Sequence, residues 1–114
     1  MRKIDLNERK IILAIANELA LEPRQKIFED IANALICIET DDGSRRRFQL
    51  MDYKRPPYSG QHAYPVEGRM MDADGSDVTV RLYADENERI FELEFIKWSE
   101  RPIISLRWNT FFID

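Results

Sequence analysis

The chain has 114 residues, of which 44% are hydrophobic and 33% charged, and its formal net charge is −4. This size and composition predict a single soluble domain over residues 1–114, and they exclude a disordered chain. An acidic chain whose basic residues are scattered argues against nucleic acid as the partner. No apolar run approaches the roughly 20 residues that a membrane span needs, so we expect no membrane partner.

The N-terminus and the cysteine content indicate the compartment. Residues 1–8 carry the basic start of a signal peptide, but acidic residues follow at once instead of an apolar stretch. Cys37 is the only cysteine, so no intrachain disulfide can form. We therefore expect a cytoplasmic protein.

Two helices are predicted at the N-terminal end, over about 6–20 and 23–34. Asp5 or Asn7 can cap the first helix, and Pro23 is tolerated at the start of the second. In the second helix Phe28 is predicted to face the core with its isoleucines, and Asp30 to face water. The first helix carries an apolar stripe at helical spacing, formed by Ile11, Ile12, Ile15 and Leu19.

From residue 35 the hydrophobic period changes to that of strands. Two consecutive hairpins are clearest, because apolar and polar residues alternate on both sides of the turns at 72–75 and 85–88. The predicted strands are 35–39, 46–52, 66–72, 77–84 and 89–97, with a possible edge strand at 103–108. The fold class is α+β, with both helices packed on one face of a four- to five-stranded antiparallel meander sheet.

Two acidic residues of the last hairpin are expected to lie on the uncovered face of this sheet. Phe91, Leu93 and Phe95 alternate with Glu92 and Glu94, so the glutamates face outward, in company with Arg81 and Tyr83. An arginine beside glutamates on such a face is typical of a cross-strand ion pair. The alternative, acid–base chemistry on a glycoside by the two carboxylates, has no further support in the sequence.

The segment from Tyr53 to Pro65 is predicted to be an irregular loop. It carries Tyr53, Tyr58 and Tyr64, and tyrosine is enriched at protein interfaces because it gives a large contact area at low entropic cost. The sequence leaves two roles open for these side chains, which are contact with another protein and anchoring of the loop on its own sheet.

Other candidate sites have simpler explanations. Cys37 and His62 could form a nucleophile and base, but Cys37 lies among apolar residues where a small buried side chain is expected. Asp72, Asp74 and Asp77 resemble the start of a calcium loop, yet the glycine comes two residues early and Tyr83 stands where a bidentate glutamate is required. We expect no catalytic residue, no cofactor and no metal.

The C-terminal segment is unusually apolar for a chain end. Phe111, Phe112 and Ile113 are predicted either to tuck into the core, which we favour, or to lie at an interface. In the second case, Trp98 and Trp108 would join them in the seam of a homodimer.

The hairpin sequence is similar to that of small uncharacterised bacterial α+β proteins. The pattern is Glu67-Gly-Arg-Met-Met-Asp72-Ala-Asp74-Gly75, then Val78-Thr-Val-Arg-Leu82, then Phe91-Glu-Leu-Glu-Phe95. In those proteins an Asp-x-Asp-Gly hairpin module follows an N-terminal helical part. Some of them resemble immunity proteins of contact-dependent or polymorphic toxin systems. The resemblance implies a non-enzymatic domain that neutralises a toxin by binding it.

The sequence thus predicts a protein-binding domain with a basic partner, most simply an immunity protein acting on its cognate toxin domain. Charge complementarity with an acidic surface would favour such a complex. The alternative is a self-associating scaffold or a small-ligand-binding domain. The residues predicted to contact the partner are Tyr53, Tyr58, Tyr64, Asp72, Asp74, Glu92 and Glu94.

Overall fold

The computed structural model describes residues 1–57 and 60–114, which form two helices and one antiparallel sheet. In chain order the elements are β1 (Arg2–Lys3), α1 (Leu6–Asn17), α2 (Leu21–Ala32), β2 (Ala34–Glu39), β3 (Arg45–Leu50), β4 (His62–Asp72), β5 (Asp77–Ala84), β6 (Ile90–Lys97) and β7 (Leu106–Ile113). The predicted α+β class is confirmed. The predicted number of four to five strands is wrong, because the sheet has seven.

The spatial order of the strands is β1-β2-β3-β6-β5-β4-β7, so the sheet is not a simple meander. The two predicted hairpins, β4-β5 and β5-β6, are present. However, β3 pairs with β6 instead of with β4, and β7 returns to the outer edge of β4. The long connection after β3 makes this order possible, because it carries the chain across the sheet before β4 begins.

One face of the sheet is covered by the helices and forms the core. Val78, Val80 and Leu82 are fully buried on this face, together with Leu93 and Phe95 from β6. The apolar stripe predicted for α1 lies against them, with Ile11, Ile12, Ile15 and Leu19 all buried. The opposite face has no helix over it in the described residues, and we call it the open sheet face.

Helix α1 begins as predicted at an Asp5 cap. The Asp5 carboxylate accepts a hydrogen bond from the Glu8 backbone N–H at 2.8 Å, and the Glu8 side chain accepts one from the Asp5 N–H at 2.9 Å. This reciprocal pair satisfies two of the backbone donors that a helix start leaves free. None of the helices in the described residues is long and apolar enough to cross a membrane.

The second helix differs from its prediction in position and in its buried face. It begins at Leu21, which places Pro23 in the first turn, where its missing N–H costs no helical hydrogen bond. Phe28 is 41% exposed, whereas Asp30 is 3% exposed. The Asp30 carboxylate accepts hydrogen bonds from the Arg89 side chain at 2.8 Å and from the Ile90 N–H at 3.1 Å. A hydrophobicity pattern could not predict a buried carboxylate, because its partners come from a distant turn.

The C-terminal residues form most of β7, which extends to Ile113 instead of ending at 108. Their side chains alternate: Phe111 and Ile113 pack on the core, while Phe112 is 55% exposed. The ring of Phe111 occupies the space that a side chain would need at Gly68, so a Cβ there would overlap it. Trp108 also packs inward, edge-on to Phe95 at 5.6 Å between ring centroids. The prediction that the C-terminal side chains pack into the core is therefore confirmed for Phe111 and Ile113 and is wrong for Phe112.

Candidate functional site

The open sheet face carries a row of alternating charges across four adjacent strands. The register places Glu67 of β4 beside Arg81 of β5, Arg81 beside Glu94 of β6, and Glu94 beside Arg45 of β3. Directly opposed residues of an antiparallel pair share a face, so the four side chains form a line of sign −, +, −, +. We call these four residues the charge row.

Each half of the charge row is an ion pair. The Arg81 Nε lies 2.9 Å from Glu67 Oε1, and the Arg45 Nη2 lies 3.1 Å from Glu94 Oε2. The hydroxyl of Tyr83 donates to Glu94 Oε1 at 2.8 Å. Burial first, and then this hydrogen bond to a carboxylate, raise the pKa of the Tyr83 hydroxyl. The row is therefore internally neutral and its side chains are held in place.

A second polar pair and a shallow depression lie beside the charge row. Glu92 faces Tyr83 across the hairpin and accepts a long hydrogen bond of 3.4 Å from Arg47. Arg47 also stacks over Phe91, at 4.7 Å from the ring centroid. These residues line a depression of about 160 Å³, together with Arg45, Gln61, Tyr83 and Glu94. Nothing else in its lining suggests a catalytic group.

The other neighbour of the charge row is a row to which Ile96, Trp98 and Phe112 contribute apolar side chains, and we call it the apolar row. Thr79 of β5 lies beside Ile96 of β6 and beside Arg69 of β4, and Arg69 lies beside Phe112 of β7. Trp98, just after β6, reaches this row by donating its indole N–H to the Thr79 hydroxyl at 2.8 Å. Trp98 is nevertheless 65% exposed. An exposed tryptophan that is held by a hydrogen bond is typical of a binding surface.

The two predicted glutamates lie on this face, but they do not make it acidic. Glu92 is only 7% exposed, and the side chain of Glu94 is 13% exposed, because each is covered by its arginine partner. Arg69 is likewise paired, with Asp114 at 2.8 Å. Four arginines thus balance four carboxylates on this face. The excess negative charge of the chain lies elsewhere.

Tyr53 and Tyr64, the two predicted tyrosines within the described residues, do not lie on the open sheet face. Tyr64 belongs to β4, not to a loop, and it is 6% exposed in the core. Tyr53 is half-buried, and its hydroxyl donates to Asp85 at 2.6 Å. That carboxylate also accepts from Arg55 at 2.8 Å, so Tyr53 anchors the segment on the β5–β6 turn. Tyr58 lies outside the described residues.

The predicted aspartates lie at the opposite end of the hairpin from Tyr53. Asp72 is fully buried and accepts hydrogen bonds from the backbone N–H groups of Ile104 and Ser105, both at 2.8 Å. Lys97 Nζ lies 2.7 Å from Asp72 and 2.9 Å from the exposed Asp74. Asp72 therefore fixes the connection to β7 and is not available to a partner. This role was invisible in the sequence, since the turn explains the same residue.

Cys37 and His62, the alternative nucleophile and base, each bind other groups. The Cys37 thiol donates to the Arg47 carbonyl at 3.5 Å, and the His62 imidazole bonds to Glu88 and to the Gly60 carbonyl. Nowhere in 1–57 and 60–114 do three or more His, Cys, Asp or Glu side chains come together as metal ligands. The open sheet face is thus the strongest candidate site in the described part of the chain.

Sequence reasoning missed much of this face. Arg45 and Arg47 follow a turn that carries Asp41 and Asp42, yet they pair with Glu94 and Glu92 of a strand far along the chain. The sequence places Trp98 and Phe112 only in the alternative dimer seam. The sequence signal that could have located these four residues is the alternation of the strands. Arg45, Arg47 and Phe112 lie at outward positions of a strand, and Trp98 directly follows one.

Comparison with known proteins places the chain in one family. Residues 1–107 match the family model described as Domain of unknown function (DUF6984). No curated protein and no solved structure matches the chain. Because the match covers nearly the whole sequence, this protein belongs to the DUF6984 family.

Proposed function

We propose that this protein is a non-enzymatic protein-binding domain whose binding surface is the open sheet face. The observation that carries the proposal is the exposed Trp98 beside the charge row, with its indole fixed by Thr79. Tryptophan and arginine dominate binding energy at protein interfaces. Side chains that are already held in place lose little conformational entropy when a partner binds.

The biological setting that we propose is toxin immunity, in line with the resemblance of the hairpin sequence to immunity proteins. A domain of this kind would neutralise a cognate toxin by covering part of its surface. The net charge of −4 would attract a basic toxin domain at long range. At close range, the internally neutral charge row favours a partner surface that carries charges of both signs.

A second candidate function is self-association, and the exposed apolar side chains on the same face favour it. Trp98 is 65% exposed and Phe112 is 55% exposed. The seam predicted from sequence is reduced to these two residues, since Trp108 and Phe111 pack on the core.

Affinity capture from extracts of the source cells tests the binding surface. Tagged wild-type protein is compared with Trp98→Ser, with Glu94→Arg and with a control, Lys10→Glu, on the exposed side of α1. We expect a stoichiometric partner to be retained by the wild type and the control and to be lost by the two variants of the open sheet face. Equal recovery with all four proteins would refute this assignment.

Co-expression tests the immunity role separately. The captured partner, expressed alone, should arrest growth, and the wild-type protein should restore it. Trp98→Ser should fail to restore growth while it remains folded by circular dichroism. A partner that is harmless when expressed alone would rule out immunity but not protein binding.

A further inference from the structure

The signs of the charge row invert when the order of its four residues is reversed. Its four positions run −, +, −, + across strands that lie about 4.8 Å apart, so its centre falls between Arg81 and Glu94. Rotation by 180° about an axis that lies over this centre, parallel to the sheet and to the strands, reverses the order of the row. Every negative position then lies opposite a positive one.

We infer that the occupant of the open sheet face in the free protein is a second copy of this chain, stacked face to face about this axis. Arg81 then faces Glu94 of the second copy, and Glu67 faces Arg45 of the second copy. A two-fold axis makes each contact occur twice, so four opposite-charge pairs form across the interface. The inference rests on the proposal that this face binds protein, and it names what covers the face when no toxin is bound.

The neighbouring rows agree with the same axis. The rotation keeps each row at its own height along the strands, so the apolar row meets the apolar row of the second copy. Thr79, with Trp98 bonded to it, then faces Ile96 of the second copy. On the other side of the charge row, Tyr83 faces Glu92 of the second copy. Apolar area is buried against apolar area, and a phenol meets a carboxylate.

The other two-fold axis parallel to the sheet is unfavourable. An axis across the strands keeps the order of the charge row, so Arg81 would face Arg81 and Glu94 would face Glu94. The apolar row would meet the polar pair of Tyr83 and Glu92. Like charges in contact oppose association. The charge pattern therefore selects the axis along the strands, which also suits the nearly aligned strands of packed sheets.

A charge-swap pair tests this arrangement. Arg81→Glu alone places the new carboxylate against Glu94 of the second copy, and Glu94→Arg alone places the new guanidinium against Arg81, so each variant repels itself. The Arg81→Glu variant carries a carboxylate at both positions 81 and 94, and the Glu94→Arg variant carries a guanidinium at both. In a mixed dimer, each carboxylate of the first variant therefore lies opposite a guanidinium of the second. Only a face-to-face pairing of these two positions predicts recovery by mixing.

Sedimentation equilibrium and native mass spectrometry measure the outcome. We expect the wild type to dimerise, each single variant to dimerise about tenfold more weakly or worse, and the equimolar mixture to form a heterodimer. Lys10→Glu changes the net charge as much as Arg81→Glu does and should leave the dimer intact. Circular dichroism confirms that each variant is folded.

Two results would overturn the inference. One is a wild type that stays monomeric at the highest concentration reached, and the other is a mixture that fails to form the heterodimer although both variants are folded. Neither result affects the proposed function, which fails only if partner capture is insensitive to Trp98→Ser and Glu94→Arg. Fluorescence of a Trp108→Phe variant, in which Trp98 is the one remaining tryptophan, gives an independent check, because its emission should shift to shorter wavelength as the protein concentration rises.

Discussion

Arg46 and Glu8 form an ion pair inside the interface between helix and sheet, with Arg46 Nη1 2.9 Å from Glu8 Oε2. Arg46 is on the core side of β3, and its guanidinium lies over the rings of Phe95 at 4.9 Å and Trp108 at 5.3 Å. Glu8 has no exposed area and also binds Arg2 at 2.7 Å. The pair therefore ties α1 to the sheet.

Removing the charge of Glu8 should destabilise the fold strongly. Glu8→Gln leaves two arginines without their shared carboxylate, and breaking a buried pair from one side costs about 3 kcal/mol or more in unfolding free energy. Urea unfolding measures the loss. Glu39→Gln is the control, because Glu39 contacts the same arginines but its side chain is 39% exposed, so its effect should stay below about 1 kcal/mol. Equal losses of unfolding free energy in Glu8→Gln and Glu39→Gln would contradict this role of Glu8.

Acid should destabilise the protein through Asp72. Burial alone would raise the pKa of this carboxyl, but hydrogen bonds from Lys97 and from the N–H groups of Ile104, Ala73 and Ser105 outweigh it, and the pKa is lowered. A lowered folded-state pKa stabilises the fold above the unfolded value of about 3.9, and this stabilisation is lost as the pH falls through the folded value.

Substitution of Asp72 distinguishes its contribution to acid sensitivity from that of the other carboxylates. Asp72→Asn should lower the Tm at neutral pH, because Lys97 loses its buried partner, and the fall in Tm below about pH 4 should be shallower than in the wild type. Asp77→Asn, the same change at an exposed aspartate at the start of β5, should leave the Tm at neutral pH and its fall in acid nearly unchanged. A Tm profile of Asp72→Asn that is parallel to that of the wild type would disprove the assignment.

Gly68 should tolerate no side chain. Gly68→Ala forces its Cβ into the Phe111 ring, and overpacking of this kind costs about 1–3 kcal/mol in unfolding free energy. The double variant Gly68→Ala with Phe111→Ala should be more stable than the sum of the single losses predicts, since the clash is gone. Additive losses in thermal unfolding would show that the two residues do not compete for this space.

The charge row should contribute little to the stability of the monomer. The side chains of Arg81 and Glu67 are 36% and 40% exposed, and exposed ion pairs are worth less than about 1 kcal/mol. Arg81→Ala, measured by urea unfolding at a concentration too low for association, should therefore change the unfolding free energy by less than this amount. A larger loss would mean that the row serves folding and not binding.

The sequence by itself determined the local structure of this protein. Alternation between polar and apolar residues located β5 and β6, and a turn rich in Asp and Gly separated β4 from β5. Asp5 fixed the start of α1 through its capping box with Glu8. These signals act over a few residues, so they can be recognised without knowing the fold.

Only the tertiary structure decided which strands became neighbours and which charges met. Arg45 and Glu94 are far apart in the sequence, and they pair because β6, not β4, lies beside β3. The same strand order moved Tyr64 into the core and gave Asp72 its partners from the connection to β7. Contacts of this range depend on sheet order, which hydrophobic periodicity does not encode, because the period is the same whichever strand is the neighbour.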